Sequence, residues 1–223
     1  MMHHLFLVRH GESVKNISSN YKGGFPDPSV PLTSEGHDQA SAVGEFLAKY
    51  LQFTPKDDII IEVSPYMRAL QTMARILQHV DVKSVKEDAL LSELQYGIFG
   101  IFSELQVKQE FPDELAKYER IHEFSGDYYT KMPEGESPFD CEIRQKLWLD
   151  GLYRRMSSGH CPGNIIVIGH SCALTLLRKA IFNYTADWFK EEPIPSNCSV
   201  QHILLDEHSR SDQGYIYGGP TED

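Results

Sequence analysis

Three short apolar runs, at residues 5–8, 59–63 and 165–168, constrain the fold of this chain more than any other feature. Each run is rich in aliphatic or β-branched residues and is followed at once by a polar or glycine-containing turn. Runs of this length, bounded in this way, are typical of buried strands in a parallel sheet. Residues 199–205 are a candidate for a further strand.

Amphipathic helical patterns lie between and after these runs. They place apolar residues on one face at 40–51 and 69–77, at Phe139, Ile143 and Leu147, and at Leu174, Leu177 and Ile181. Strands that alternate with helices predict an α/β fold. The expected architecture is a three-layer sandwich, with a mostly parallel central sheet and helices on both of its faces.

A chain of 223 residues with 41% apolar residues is long enough to bury one core, so we expect a single domain over residues 1–223. The stretch from about 97 to 136 has weaker periodicity and more aromatic and charged residues, which predicts a helical insertion over the sheet. Residues 209–223 are polar and contain glycine, which favours a loosely ordered tail.

The net charge of -11 argues against a nucleic-acid partner, because such proteins need a surface field of lysine and arginine. It does not argue against a small phosphorylated metabolite, which a local cluster of cations can bind. The four cysteines show no metal-binding spacing, and no run is long enough for a signal peptide or a membrane span. We therefore expect a cytoplasmic protein without a membrane partner; its oligomeric state stays open.

Cationic and titrating side chains follow each of the three predicted strands. Arg9 and His10 follow the first, Arg68 opens the helix after the second, and His170 follows the third. Ligands of open α/β sheets bind beyond the carboxyl ends of the strands, so these side chains are expected to converge. Two guanidinium groups and two imidazoles can bind and stabilise a phosphoryl group without a divalent ion. The pattern implies no metal and no other cofactor.

Five short motifs in this order resemble the histidine phosphatase superfamily. They are L-V-R-H-G-E-S from residue 7, Pro31-Leu32-Thr33 with Gly36, S-P-Y-x-R-A-x-Q-T from residue 64, Glu93, and Gly169-His170-Ser171. The turn at 133–137 and the late segment 197–199 also fit. The resemblance covers all but about the last 20 residues.

This resemblance implies a role for each matching position. His10 is the expected nucleophile, and Glu93 is the expected proton donor, rather than Glu87 or Glu104 nearby. The phosphate is expected to bind to Arg9, Asn16, Arg68, His170 and Ser171. A neutral imidazole suits the nucleophile because its ordinary pKa is close to cytoplasmic pH.

The family contains phosphoglycerate mutases as well as phosphatases, and the sequence favours a phosphatase. Bisphosphoglycerate-dependent mutases carry Glu-Arg-His-Tyr-Gly at the acid, whereas this chain has Glu-Leu-Gln-Tyr-Gly from Glu93, and it lacks their paired arginines in the insertion. The remaining cations there are Lys108, Lys117, Arg120 and Lys131. The segment before the turn at 133–137 looks more like the small phosphatase-like branch.

Other interpretations stay open at this point. The chain is alternatively a mutase, a phosphoprotein phosphatase, or a non-catalytic scaffold that binds a phosphorylated ligand. The aromatic residues of the insertion either line an apolar mouth of the site or form its core. They are Tyr96, Phe99, Phe102, Phe111, Tyr128 and Tyr129.

Overall fold

A six-stranded sheet organises the part of the chain that the computed structural model describes, residues 2–17, 26–53 and 58–220. Its strands are β1 (His3–Arg9), β2 (Ile59–Val63), β3 (Ser84–Glu87), β4 (Asn164–Gly169), β5 (Val200–Leu205) and β6 (Arg210–Tyr217). Their order across the sheet is β3-β2-β4-β1-β5-β6. The first four strands run parallel, and β5 and β6 form an antiparallel edge. The predicted α/β class with a mostly parallel sheet is confirmed.

Helices connect the strands and cover both faces of the sheet. The α-helices are α1 (Val14–Ile17), α2 (Ser34–Tyr50), α3 (Met67–Ile76), α4 (Ile98–Ile101), α5 (Glu104–Glu110), α6 (Pro112–Tyr129), α7 (Pro138–Ser157), α8 (Ser171–Phe182) and α9 (Ala186–Glu191). Short 3₁₀ helices span Asp27–Ser29, Leu51–Phe53 and Ala89–Leu91. No helix of the described residues is long and apolar enough to cross a membrane.

The alternation of side chains along β1 creates two separate cores. Leu5 and Leu7 point to the layer of α7 and α8, where they pack with residues such as Leu152. Phe6 and Val8 point to the opposite layer of α2 and α3. Successive side chains of a strand face opposite sides of a sheet, so a run that is apolar throughout must be covered on both.

Polar caps fix where two of the long helices begin. The Thr33 hydroxyl accepts a hydrogen bond from the Gly36 amide at the start of α2. Ser137 and Asp140 exchange side-chain and backbone hydrogen bonds at the start of α7, with Pro138 in the first turn. These caps satisfy amides that have no partner inside the helix, and they set the entry of each helix into its layer.

The segment between β3 and α7 contains the predicted helical insertion, built from α4, α5 and α6. Some of its aromatic side chains form half-buried pairs, in which Phe99 packs on Tyr118 and Phe102 packs on Phe111. Helix α6 is interrupted at Gly126, whose φ angle is 70°. After this kink, Tyr128 is buried against Cys141 and Leu176.

One expectation from the sequence is wrong. Residues 210–217 form strand β6 instead of a loose tail, because an edge strand with one solvated side tolerates polar residues that a buried strand would exclude. Helix α7 is present, but Phe139, Ile143 and Leu147 are exposed. The buried side of α7 carries Trp148 and Leu152, which pack on the sheet.

Candidate active site

Three neighbouring strands bring the predicted site residues to one edge of the sheet. Strand β4 lies between β1 and β2, so the turns that follow these strands meet. They carry Arg9 and His10, Arg68 in the first turn of α3, and His170 immediately before α8. All four side chains are buried, between 0% and 8% exposed. Titrating groups this dry interact more strongly than they would in water.

One hydrogen bond fixes the ring of His10. Its Nδ1 lies 2.7 Å from the carbonyl oxygen of Gly11, and because a carbonyl only accepts, Nδ1 carries the proton. Nε2 therefore holds a lone pair in the neutral ring. Burial lowers the pKa of His10 well below its ordinary 6.5, and the cationic Arg68 and Arg9 lower it further. The imidazole of His10 is consequently neutral at neutral pH, with a proton on Nδ1 and none on Nε2.

The backbone beside His10 is held by close packing. A Cβ at Gly11 would come within 2.4 Å of the carbonyl oxygen of Gly36, so only glycine fits there. The Gly11 amide donates to the Thr72 hydroxyl at 3.0 Å, and the Asn197 side chain donates to the His10 carbonyl at 3.0 Å. The loop is thus anchored from both α3 and the segment before β5.

His170 contributes a second imidazole, and one of its two ring nitrogens already has a hydrogen-bond partner. Its Nε2 lies 2.7 Å from the Ser64 hydroxyl at the end of β2, whereas its buried Nδ1 has no hydrogen-bond partner among the described residues. Burial lowers its pKa well below 6.5, with a further contribution from Arg68. Buried polar atoms are normally satisfied, so an orphaned one marks a place where a ligand atom would bind.

The two arginines are oriented by backbone oxygens. Arg68 donates to the Asp27 carbonyl at 2.8 Å and stacks on the ring of Tyr66, with its guanidinium carbon 4.9 Å from the ring centre. Arg9 donates to the Pro195 carbonyl, and its buried Nε has no partner in the described structure. Burial lowers the pKa of Arg9. Both guanidinium groups thus retain donors for an anion.

Asn16 and Ser171 lie at the rim of this cluster. The Asn16 Oδ1 accepts from the amide and the hydroxyl of Ser13, at 2.9 and 2.7 Å, which leaves its Nδ2 as a donor. Asn197 also approaches this Oδ1, at 3.4 Å. The Ser171 hydroxyl lies 3.4 Å from Oε2 of Glu93.

Glu93 is a buried carboxylate on the loop between the 3₁₀ helix at Ala89–Leu91 and α4. Its Oε1 accepts from the amides of Leu94 and Ala173, at 2.9 and 3.0 Å. Those two bonds fix the carboxylate against the start of α8, one turn from His170. Among the described residues Oε2 has only the weaker contact with Ser171, which leaves this oxygen available for proton transfer. Glu87 and Glu104, the other acids considered, are both exposed.

The loop that carries Glu93 is held by Arg144, a residue that the sequence did not single out. Its guanidinium donates to the carbonyls of Leu90 and Glu93, at 2.6 and 3.3 Å. It also binds both carboxylate oxygens of Glu136, at 2.7 and 2.8 Å. Arg144 lies on α7, 51 positions beyond Glu93, and no local pattern in the sequence connects the two.

Close backbone packing completes this support. Gly97, with a φ angle of 53°, lies so near the turn at 133–135 that a Cβ would come within 1.9 Å of the Pro133 carbonyl oxygen. The amide of Glu136 donates to the Gln95 carbonyl at 2.8 Å. Gln95 in turn donates to the Tyr66 hydroxyl at 2.6 Å. The close approach of these two backbone segments therefore explains why position 97 is a glycine.

This fold and this cluster define a class: an α/β protein whose strand ends present two histidines and two arginines at one sheet edge, beside a glutamate carried by a loop. A family model described as histidine phosphatase superfamily (branch 1) matches residues 5–213, and the chain belongs to this superfamily.

Curated relatives from Arabidopsis thaliana agree with that assignment. The phosphoglycerate mutase-like protein AT74H is 24% identical over 216 residues, which cover 90% of this chain and 73% of the relative. The phosphoglycerate mutase-like protein AT74 is 25% identical over 213 residues, which cover 90% of this chain and 64% of the relative. The chain therefore spans less than two thirds of the length of AT74.

Solved structures share the fold over almost the whole chain. The α-ribazole phosphatase from Shigella flexneri matches with a TM-score of 0.74 and 20% identity, covering 99% of each chain. A mycobacterial glucosyl-3-phosphoglycerate phosphatase matches with a TM-score of 0.70 and 19% identity, covering 98% of this chain and 100% of the other. At such identities the likeness concerns the fold alone.

Proposed function

We propose that this protein hydrolyses phosphomonoesters of small metabolites through a phosphohistidine on Nε2 of His10. One observation carries the proposal: the bond from Nδ1 to Gly11 leaves Nε2 unprotonated beside two buried arginines and a second buried imidazole. The orphaned Nδ1 of His170 and Nε of Arg9 support it, since phosphoryl oxygens would provide the acceptors that a donor at each position lacks.

In the first step the Nε2 lone pair of His10 attacks phosphorus, and the bond from phosphorus to the ester oxygen breaks. Glu93 Oε2 gives its proton to the departing oxygen, because an alkoxide is a poor leaving group. Arg9, Arg68 and His170 stabilise the negative charge on the phosphoryl oxygens, and Asn16 and Ser171 add polar contacts at the rim.

In the second step Glu93, now ionised, takes a proton from a water molecule. The water oxygen attacks phosphorus, the phosphorus–nitrogen bond breaks, and the electron pair returns to Nε2. Inorganic phosphate leaves, and His10 and Glu93 regain their starting protonation states. Both residues are thus regenerated in each cycle, and the proposed cycle uses no metal ion and no organic cofactor.

Water, rather than a second phosphate ester, is the proposed acceptor. A mutase must retain a bisphosphorylated intermediate, which needs a second cationic clamp. The position after the acid is Leu94, which is buried in an apolar cluster with Tyr128 and Leu176. Of the cations in the insertion, Lys108 is exposed and paired with Glu104. A lysine also lacks the planar fork with which arginine holds phosphate.

The cytoplasm is the proposed site of action. All four cysteines are free thiols in the structure, which fits a reducing compartment. Burial raises the pKa of Cys141 and Cys198, each to about 12, so these thiols are protonated at neutral pH and serve as packing residues.

Incubation of the purified protein with 3-phosphoglycerate, with and without 2,3-bisphosphoglycerate, tests the proposal. Free phosphate and 2-phosphoglycerate are measured together, and p-nitrophenyl phosphate serves as a second ester. We expect release of phosphate and acid-labile, base-stable phosphate on the protein after rapid quenching. Isomerisation that far outpaces phosphate release would identify a mutase. Failure to hydrolyse any phosphomonoester would favour a phospholigand-binding scaffold.

A further inference from the structure

A cavity of about 600 Å³ opens beside the proposed phosphate site. It lies between the end of α6, the start of α8, and α9 with the segment that follows it. This volume falls in the range of pockets that bind small organic molecules. None of the roles assigned so far uses this space.

The inner wall of the cavity is made by residues that contact the proposed machinery. Ser171, on this wall, lies 3.4 Å from the Glu93 carboxylate. Pro195, also on the wall, accepts a hydrogen bond from Arg9 through its carbonyl. A group that leaves from a phosphoryl bound to Arg9, with its oxygen at Glu93, therefore extends directly into this cavity.

Aromatic and aliphatic side chains dominate the remaining walls. Tyr96, Tyr128, Tyr129, Phe189 and Ile194 line it. The rings of Tyr128 and Tyr129 pack at right angles with centres 4.8 Å apart, and Phe189 packs on Tyr128 at 6.1 Å. Rings that support one another in this way form a preorganised apolar surface.

The basic side chains on these walls contact a carboxylate. Lys190 and His122 both contact Asp127, Lys190 at 3.6 Å. Glu192, another wall residue, pairs with Arg178 behind it. Within the described lining the single lysine thus already contacts a carboxylate, and Asp187 adds a further one, so these walls do not favour a second anionic group on the ligand.

We propose that this cavity selects the leaving group, and that the preferred substrates are phosphomonoesters of uncharged, apolar or aromatic alcohols. The inference rests on the proposed function and adds a substrate class to it. Burial of an apolar chain against Phe189 and Tyr129 raises kcat/KM, whereas a carboxylate or second phosphate on that chain meets an acidic, apolar surface and is disfavoured.

Matched esters test this selection. Hexyl phosphate and 6-phosphonooxyhexanoate have the same chain length and differ by a terminal carboxylate, and methyl phosphate reports hydrolysis without occupation of the cavity. We expect kcat/KM for hexyl phosphate to exceed that for either of the others by about tenfold or more. Equal values for the two six-carbon esters, alongside clear hydrolysis of methyl phosphate, would overturn this inference and leave the proposed function intact.

A pair of phenylalanine variants locates the effect. Phe189→Ala removes a wall of the cavity, so the ratio of kcat/KM for hexyl to methyl phosphate should fall about tenfold. Phe124→Ala is the control, since Phe124 lies on α6 outside the cavity and is 86% exposed. This control variant should leave kcat/KM unchanged for both hexyl phosphate and methyl phosphate.

Should Phe189→Ala fail to fold, Tyr129→Ala makes the same test, because Tyr129 is on the wall and 58% exposed. An unchanged hexyl-to-methyl ratio in a folded wall variant would refute the assignment. If no ester is hydrolysed at all, the proposed function falls, and the substrate class falls with it.

Discussion

The imidazole rings of His10 and His170 lie edge to face, with their centres 5.1 Å apart. Both are buried, and both are close to Arg9 and Arg68, so each ring gains a proton at a high electrostatic cost. Two neutral rings can share this site with two guanidinium groups, whereas a charged ring would add a like charge in a dry environment. This arrangement has consequences for pH dependence.

We expect His10 and His170 to stay neutral at pH 6.5, where an exposed histidine is half protonated. Their pKa values are lower in the folded than in the unfolded protein, so the unfolded state binds more protons as the pH falls below about 6.5. Stability contributed by the neutral rings is therefore complete above that pH and decreases below it. Histidine ring NMR through a pH titration gives the pKa values directly.

Urea unfolding at pH 7.5 and 5.5 gives the change in the free energy of unfolding. His170→Gln should make that free energy less dependent on pH. His160→Gln, at an exposed position, should not. Ring titration of His10 and His170 near pH 6.5 would show that the buried cluster does not hold these rings neutral.

Replacement of the proposed nucleophile should abolish turnover. His10→Ala removes Nε2, and we expect kcat on p-nitrophenyl phosphate to fall by at least about 10³-fold, in the range typical for loss of a covalent nucleophile. Quenched samples should then carry no acid-labile phosphate. His160→Ala, which alters an exposed ring, serves as the control. Retention of most activity in folded His10→Ala protein would move the nucleophile elsewhere.

The role proposed for Glu93 predicts that the effect of its replacement depends on the leaving group. Glu93→Gln keeps the shape of the side chain but cannot donate a proton, so kcat on an alkyl phosphate should fall about 10²- to 10⁴-fold. The loss on p-nitrophenyl phosphate should be much smaller, because p-nitrophenolate leaves without protonation. Glu87→Gln, on exposed β3, is the matched control. Equal losses on both esters would assign the acid to another residue.

Arg144 is expected to act through the Glu93 loop as a positioning residue. Arg144→Gln breaks the bonds to Glu136 and to the loop carbonyls, so kcat on alkyl phosphates should fall about tenfold to a hundredfold. The fall on p-nitrophenyl phosphate should be smaller, as for Glu93→Gln. Arg154→Gln, an exposed arginine of the same helix, should have no effect. If the rate of Arg144→Gln falls only in proportion to the amount of folded protein, on both esters alike, Arg144 has a purely structural role.

Chelation should leave the rate unchanged. In the proposed mechanism the two guanidinium groups supply the positive charge that divalent ions supply in other phosphoryl-transfer enzymes. Activity on p-nitrophenyl phosphate is compared before and after dialysis against excess EDTA. Loss that is restored by Mg²⁺ or Zn²⁺ would contradict the proposed charge arrangement.

The sequence was sufficient to place four of the site residues close together at the sheet edge, for a geometric reason. Arg9, His10, Arg68 and His170 each follow an apolar run, and parallel strands end at the same edge, so local patterns were sufficient to bring these residues together. Glu93 is different, because a loop places it. The loop depends on Arg144 and on contact with the turn at 133–136, and such contacts between distant segments have no periodic signature.

The pattern of polar and apolar residues did not determine the structure where two arrangements of the chain fit the pattern equally well. Helix α7 carries apolar residues on two sides, and only its packing on the sheet buries Trp148 and exposes Phe139. Strand β6 is polar because one edge of it meets solvent, and Asp212 there accepts hydrogen bonds from Gln201 and Arg178. Composition alone does not separate such a strand from a loose terminus.

The central place of β1 in the sheet affects when the proposed site can assemble during synthesis. His4 of β1 pairs with Asn164 on one side and with Leu204 on the other, 160 and 200 positions further along the chain. During synthesis His10 therefore emerges long before either of the strands that flank β1. Contacts this distant in sequence form slowly, because a long loop must close first. A chain whose synthesis has not reached β4 consequently carries His10, Arg9 and Arg68 without His170, and the proposed site assembles only after β4 and β5 have been made.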